Sequence, residues 1–223
     1  MEVCKGDNIM HVQMAGIRNA SDALMCVKHG VDIIGLLVGQ AHTSDDFISK
    51  EKAKEIKEAL PKEIKTTLIT HLEKADEIIE IASFIDVDYI QLHSHLEETE
   101  VEKIRAELPD KKLLRLIHIG EDGKLLNDIS KIKIVDFYFT DSINLKTNQV
   151  GGTGLSHNLE TDKMLVETLE KPVFIAGGLN PENVAEAVKF CKPYGVDVNS
   201  GCRADDGSRD KEKVKKFVKN ANV

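Results

Sequence analysis

The feature that most constrains this 223-residue chain is a recurrence. Short aliphatic runs occupy 9–14, 32–38, 65–70, 88–92, 113–119, 135–140, 173–176 and 196–199, and helical patterns separate them. Parallel strands are covered by helices on both faces, so they read as short aliphatic runs and not as alternating ones. Eight runs give one per about 28 residues, close to the size of a βα unit. Segment 49–60 puts Ala53, Ile56, Ala59 and Leu60 on one helical face, with Ser49 as N-cap. Segment 73–84 repeats the pattern with Ala75, Ile78, Ile79 and Ala82. Segment 181–191 carries Pro181 in its first turn after Asn180 as cap, and 159–169 and 212–218 also read as helices. The fifth connection, 120–130, has room only for a short helix. An open doubly wound sheet would have about five or six strands and a glycine-rich first turn, whereas the glycine-rich turns here come late. The expected fold is α/β: a single (β/α)8 TIM barrel, with residues 1–223 as one domain.

Composition narrows the partners. Trp is absent and aromatics are 4%, so Ile, Leu, Val and Ala must build the core. With 38 acidic and 30 basic side chains the formal charge is −8, which argues against nonspecific nucleic-acid binding. No stretch reaches the roughly 18 apolar residues of a membrane span. The first residues lack a signal core, so a cytoplasmic protein without a membrane partner is expected. Cys4, Cys26, Cys191 and Cys202 form no CxxC pair, which points away from both a disulfide framework and a zinc knuckle.

In such a barrel the active site lies at the carboxyl ends of the strands, and phosphate is commonly held after strands seven and eight. Three glycine clusters stand out: Gly152 and Gly154 within 151–154, Gly177-Gly178, and Ser200-Gly201. Glycine lets the backbone approach a ligand and aim its N–H groups at an anion. These residues are the candidate phosphate site, though glycines also make tight turns. Asp141 ends the run FYFT, where a carboxyl at a buried rim has a raised pKa and serves as general acid. An Asp there could equally cap a turn. His71, His93 and His118 come from three consecutive strand ends and admit a metal-dependent lyase or epimerase, but no local ligand spacing supports it. The reading therefore carries no metal and no cofactor.

These segments resemble the phosphoribosylanthranilate isomerase family. The matching stretches are AGIRNASDA (15–23), GVDIIGLLV (30–38), DYIQLHS (88–94), FTDS (139–142), GGTG (151–154), AGGLNPENVAEAV (176–188) and GVDVNSG (195–201). The resemblance spans essentially the whole chain. It implies an Amadori-type aldose–ketose isomerisation in tryptophan biosynthesis, acting on a small phosphorylated sugar substrate. It also implies a cofactor-free monomer or homodimer. Asp141 takes the general acid's place, and Gly177, Gly178, Ser200 and Gly201 the phosphate site. Two family positions differ. The general-base Cys is Ala15, which cannot accept a proton, and the carboxylate-binding Arg falls in Asp45-Asp46-Phe47-Ile48-Ser49, where acidic residues would repel a carboxylate. Cys202, at the top of the last strand and beside Arg203, is the candidate replacement base. The alternatives are a divergent paralogue using the histidine rim, and a non-catalytic phosphometabolite binder.

Overall fold

The computed structural model describes residues 10–39, 45–120, 122–144, 149–150 and 159–223. The elements are β1 (His11–Met14), α1 (Ala20–Lys28), β2 (Ile33–Leu37), α2 (Lys50–Ala59), β3 (Lys65–Thr70), α3 (Ala75–Ile85), β4 (Tyr89–Leu92), α4 (Glu98–Glu107), β5 (Lys112–Ile119), β6 (Phe137–Asn144), β7 (Gln149–Val150), α5 (Leu159–Thr168), β8 (Val173–Ile175), α6 (Val184–Cys191), β9 (Gly195–Val198) and α7 (Lys211–Ala221). Eight strands pair in parallel around a ring, which β5–β6 and β9–β1 close. The short β7 runs antiparallel to the end of β6. The fold is thus a (β/α)8 barrel, and each aliphatic run supplies one barrel strand. Among the described residues, no helix is long and apolar enough to cross a membrane.

Local chemistry sets the helix ends. The Ser49 side chain accepts from Lys52 N–H and starts α2, as its sequence predicts. The next-to-last helix differs from expectation. Asn180 Oδ1 accepts from the N–H groups of Glu182 and Asn183, which holds a turn, and α6 begins only at Val184. The fifth connection carries only a 3-10 turn, Ile129–Lys131. Asn127 binds that loop back onto β5, accepting from His118 N–H and donating to the Leu116 carbonyl, both at 2.9 Å. That leaves seven α-helices among the described residues.

The amino-terminal end of the barrel shows a repeated device. Asp32, Asp88 and Asp136, each after a Val, accept from the N–H groups of Val12, Thr66 and Leu113 on the preceding strand. Burial alone would raise the Asp88 carboxyl. Lys65, the Thr66 N–H and Lys57 outweigh that and bring it to about 2. These contacts lie opposite the mouth and act on stability.

Two layers of core result. A large aliphatic cluster fills the space between strands and helices, including Val12, Ile34, Leu68, Ile90, Ile117 and Val196. The barrel interior is divided. Leu114, Leu116, Phe139 and Phe174 pack together on one side. On the other, Thr67 Oγ1 donates to Gln13 Oε1 (2.7 Å), while Gln13 Nε2 donates to Gln91 Oε1 (2.9 Å) and Asp197 Oδ1 (3.0 Å). A polar network is tolerated inside because its members satisfy one another.

Candidate active site

Side chains alternate along a strand, so the interior residues fix which residues ring the mouth. Two residues beyond Gln13 is Ala15, and two beyond Gln91 is His93. Two beyond Leu116 is His118, and two beyond Phe139 is Asp141. His118 and Asp141 are register partners on β5 and β6. Asp141 is 7% exposed and lies in the carboxyl half of β6, which continues three residues beyond it, past the strand end that the sequence predicts.

The loops after β8 and β9 meet. Gly177 and Gly178 have φ of +90° and +70°, a left-handed conformation that side chains disfavour. A Cβ on Gly201 would lie 2.1 Å from the Leu179 carbonyl oxygen and 2.9 Å from Asn180 Cα, so only glycine permits this approach. Asn183 Nδ2 holds the Gly178 carbonyl at 3.0 Å. Among the described residues, none accepts a hydrogen bond from the N–H of Gly178, Ser200 or Gly201. The structure therefore brings Gly177-Gly178 and Ser200-Gly201 together beside Asp141's end of the ring. Gly152 and Gly154 lie outside the described residues.

Cys202 is not at the mouth. It is fully buried, and it belongs to the aliphatic layer that also holds Cys26 and Val214. Burial pushes its thiol up to about 12, despite Arg209 nearby. A thiol so disposed does not accept protons near neutral pH, so the expectation of Cys202 as base is corrected. A residue that far around the last loop turns its side chain toward α7 and not toward Ala15.

The acidic loop is also corrected. Asp46 forms an ion pair with Arg203 and accepts from Asn199 Nδ2 at 3.0 Å, so its charge is compensated and does not stand alone before a ligand. Arg203 also donates to Asn199 Oδ1 at 2.9 Å, while its buried Nε has no hydrogen-bond partner among the described residues. The pair joins the ends of β2 and β9 over Ala15. Arg209 locks this corner. It is 6% exposed and donates to the carbonyls of Ala15 (2.6 Å) and Gly16 (2.7 Å) and to Asn199. Nothing in DDGSRD distinguishes Arg209 from a solvated turn residue, so its role is visible only in three dimensions.

The histidines form an aromatic row. His71 lies 5.4 Å from Phe47 and 5.2 Å from His93, and His93 lies 5.9 Å from Phe139, centroid to centroid. His93 Nε2 is hydrogen-bonded to Gln91 Nε2 at 2.7 Å, which makes that ring nitrogen the acceptor. Burial, then His71 and His118, lowers His93 to about 3, so it is neutral at ordinary pH. Burial also lowers His118. Among the described residues, no group of three or more His, Cys, Asp or Glu is arranged to hold a metal ion.

Sequence reasoning missed Asp197. It lies within GVDVNSG, its Oδ1 held by Gln13, and is 8% exposed. Burial raises it to about 7, with Asp141 adding to the rise while Gln13 and Arg209 oppose it. Its position two residues before the mouth on the last strand was the available signal.

Comparisons with known proteins agree with this geometry. The family described as N-(5'phosphoribosyl)anthranilate (PRA) isomerase matches residues 12–220. N-(5'-phosphoribosyl)anthranilate isomerase 2 of Methanosarcina mazei is 36% identical, over 95% of this chain and 94% of that protein. The Aquifex aeolicus N-(5'-phosphoribosyl)anthranilate isomerase is 37% identical, over 95% and 98%. The crystal structure of phosphoribosyl anthranilate isomerase from Thermotoga maritima superposes with a TM-score of 0.81 at 26% identity, covering 95% and 98%.

Proposed function

Because the chain belongs to the N-(5'-phosphoribosyl)anthranilate isomerase family, we propose that its barrel mouth isomerises the phosphoribosylated aminoaldose to the aminoketose, a step of tryptophan biosynthesis. One observation carries this reading: a mostly buried carboxyl group, Asp141, shares the mouth with two adjoining glycine loops, in which the N–H groups of Gly178, Ser200 and Gly201 have no acceptor among the described residues. Those amides suit a phosphate dianion despite the chain's net charge, because the attraction is local. Gly177, Gly178, Ser200 and Gly201 hold the phosphate in this reading, and the glycine cluster of the sequence at Gly152 and Gly154 is assigned to the same ligand. Asp141 gives its proton to the furanose ring oxygen, so the C1–O bond opens to an iminium.

The aglycone end faces the corner where the β2 and β9 loops meet. There Arg203 supplies a guanidinium whose Nε has no hydrogen-bond partner among the described residues, in place of the Arg that the family carries on the β2 loop. The substrate's carboxylate meets a cation on the β9 side, with Asp46 setting its orientation. The working protein is a cytoplasmic monomer or homodimer. Complementation of an isomerase-deficient tryptophan auxotroph, paired with an assay of purified protein, tests the reading. Growth with saturable turnover supports it, and neither one refutes it.

A further inference from the structure

With Ala15 inert and Cys202 turned away, neither of them accepts the carbon-bound proton of the isomerisation. We propose that Asp197 accepts the carbon-bound proton, from one layer beneath Ala15, an inference that rests on the isomerase reading above. Register pairs Asp197 of β9 with Gln13 of β1, so Ala15 is the next inward position toward the mouth. Ala15 puts only a methyl group at that position.

The carboxylate is positioned rather than mobile. Gln13 Nε2 holds Oδ1 at 3.0 Å, and Thr67 and Gln91 hold Gln13 in turn. Oδ2 accepts no hydrogen bond among the described residues. The charged groups acting on it are Asp141 from β6 and Arg209 from the loop before α7; Gln13 is the polar neighbour on β1. Its tendency to hold a proton up to about pH 7 suits a base working near neutrality. Two interacting carboxyls with different environments are a recurrent way to obtain one acid and one base.

The chemistry balances. Asp141 protonates the ring oxygen as the C1–O bond breaks. The C2–H bond then breaks, its proton goes to Asp197 Oδ2, and its electron pair forms the C1=C2 bond of an enaminol while the iminium nitrogen regains its lone pair. Ketonisation gains a proton at C1 and loses one from the C2 hydroxyl, which returns both carboxyls to their starting state. No electrons leave the substrate.

Asp197→Asn tests this. Its kcat falls by about 10²–10⁴-fold with KM within a few-fold, and the double variant Asp197→Asn, Ala15→Cys recovers at least about tenfold of that loss. The unaltered enzyme's kcat rises with pH through about 7, and Asp197→Asn has no such limb. Because that profile uses the unaltered chain, poor folding of the variant does not blunt the test. A wild-type profile without the limb, or Asp197→Asn within threefold of wild type, overturns the assignment while leaving the isomerase reading intact. Absence of turnover by the wild type overturns both.

Discussion

Across the mouth, the ends of β8 and β9 present backbone amides, whereas the ends of β1, β2, β4 and β5 present side chains. On the amide side Gly177 and Gly178 have positive φ, and a Cβ on Gly201 would collide with the Leu179 carbonyl. On the other side the expected thiol is Ala15, the expected arginine is Asp46, and a guanidinium comes instead from Arg203. A backbone site depends on conformations few residues allow, so its sequence cannot drift far. A side-chain site needs a charge or a proton at a point in space, and a neighbouring strand can deliver it.

Asp141 lies where the two sides meet, and removing it gives the largest effect. Asp141→Asn lowers kcat by about 10²–10⁴-fold while the competitive inhibition constant of inorganic phosphate is unchanged. A large loss of phosphate binding would mean that the two sides are not separable. Gly201→Ala acts on the amide side alone. The added Cβ collides with the Leu179 carbonyl, so KM and the phosphate inhibition constant both rise by about tenfold or more, with a smaller change in kcat.

Arg203→Met strikes the rebuilt side. It leaves the Asp46 carboxylate without its cation, and KM for the carboxylate-bearing substrate rises by about tenfold. Adding Asp46→Asn recovers part of this. If Arg203→Met alone leaves KM unchanged, the aglycone does not face this corner.

The smallest effect is on stability. His93 sits near 3 in the folded chain against 6.5 ordinarily, so its contribution is lost as pH falls from about 6.5 to 3. Asp197 sits near 7 against 3.8, so its contribution is present at low pH and lost as pH rises through that window. The two slopes oppose each other, each at most ~1.4 kcal/mol per pH unit. The two contributions therefore partly cancel in the wild-type denaturant midpoints between pH 4 and 6.5. His93→Gln exposes a midpoint that falls as pH rises, and Asp197→Asn one that falls as pH drops. Parallel slopes in both variants would contradict the assigned protonation states.

The fold was legible because each barrel strand is an aliphatic run and Ser49 is a recognisable cap. The path of the fifth connection was less so, since where 120–130 turns depends on Asn127 reaching back to β5. In the site, glycine pairs and a strand-end Asp announce themselves. Arg209, Gln13 and Asp197 do not, because their meaning lies in partners up to 194 positions away in sequence. Cys202 shows the opposite hazard, a chemically apt residue at the right strand end whose side chain faces the helices.

The central claim is that this mouth isomerises its substrate without a thiol at position 15. Turnover of N-(5'-phosphoribosyl)anthranilate by the purified, unaltered protein tests it most directly. The account predicts saturable formation of the 1-deoxyribulose product, competitively inhibited by phosphate. Phosphate binding with no product would contradict it and leave a binding protein in its place.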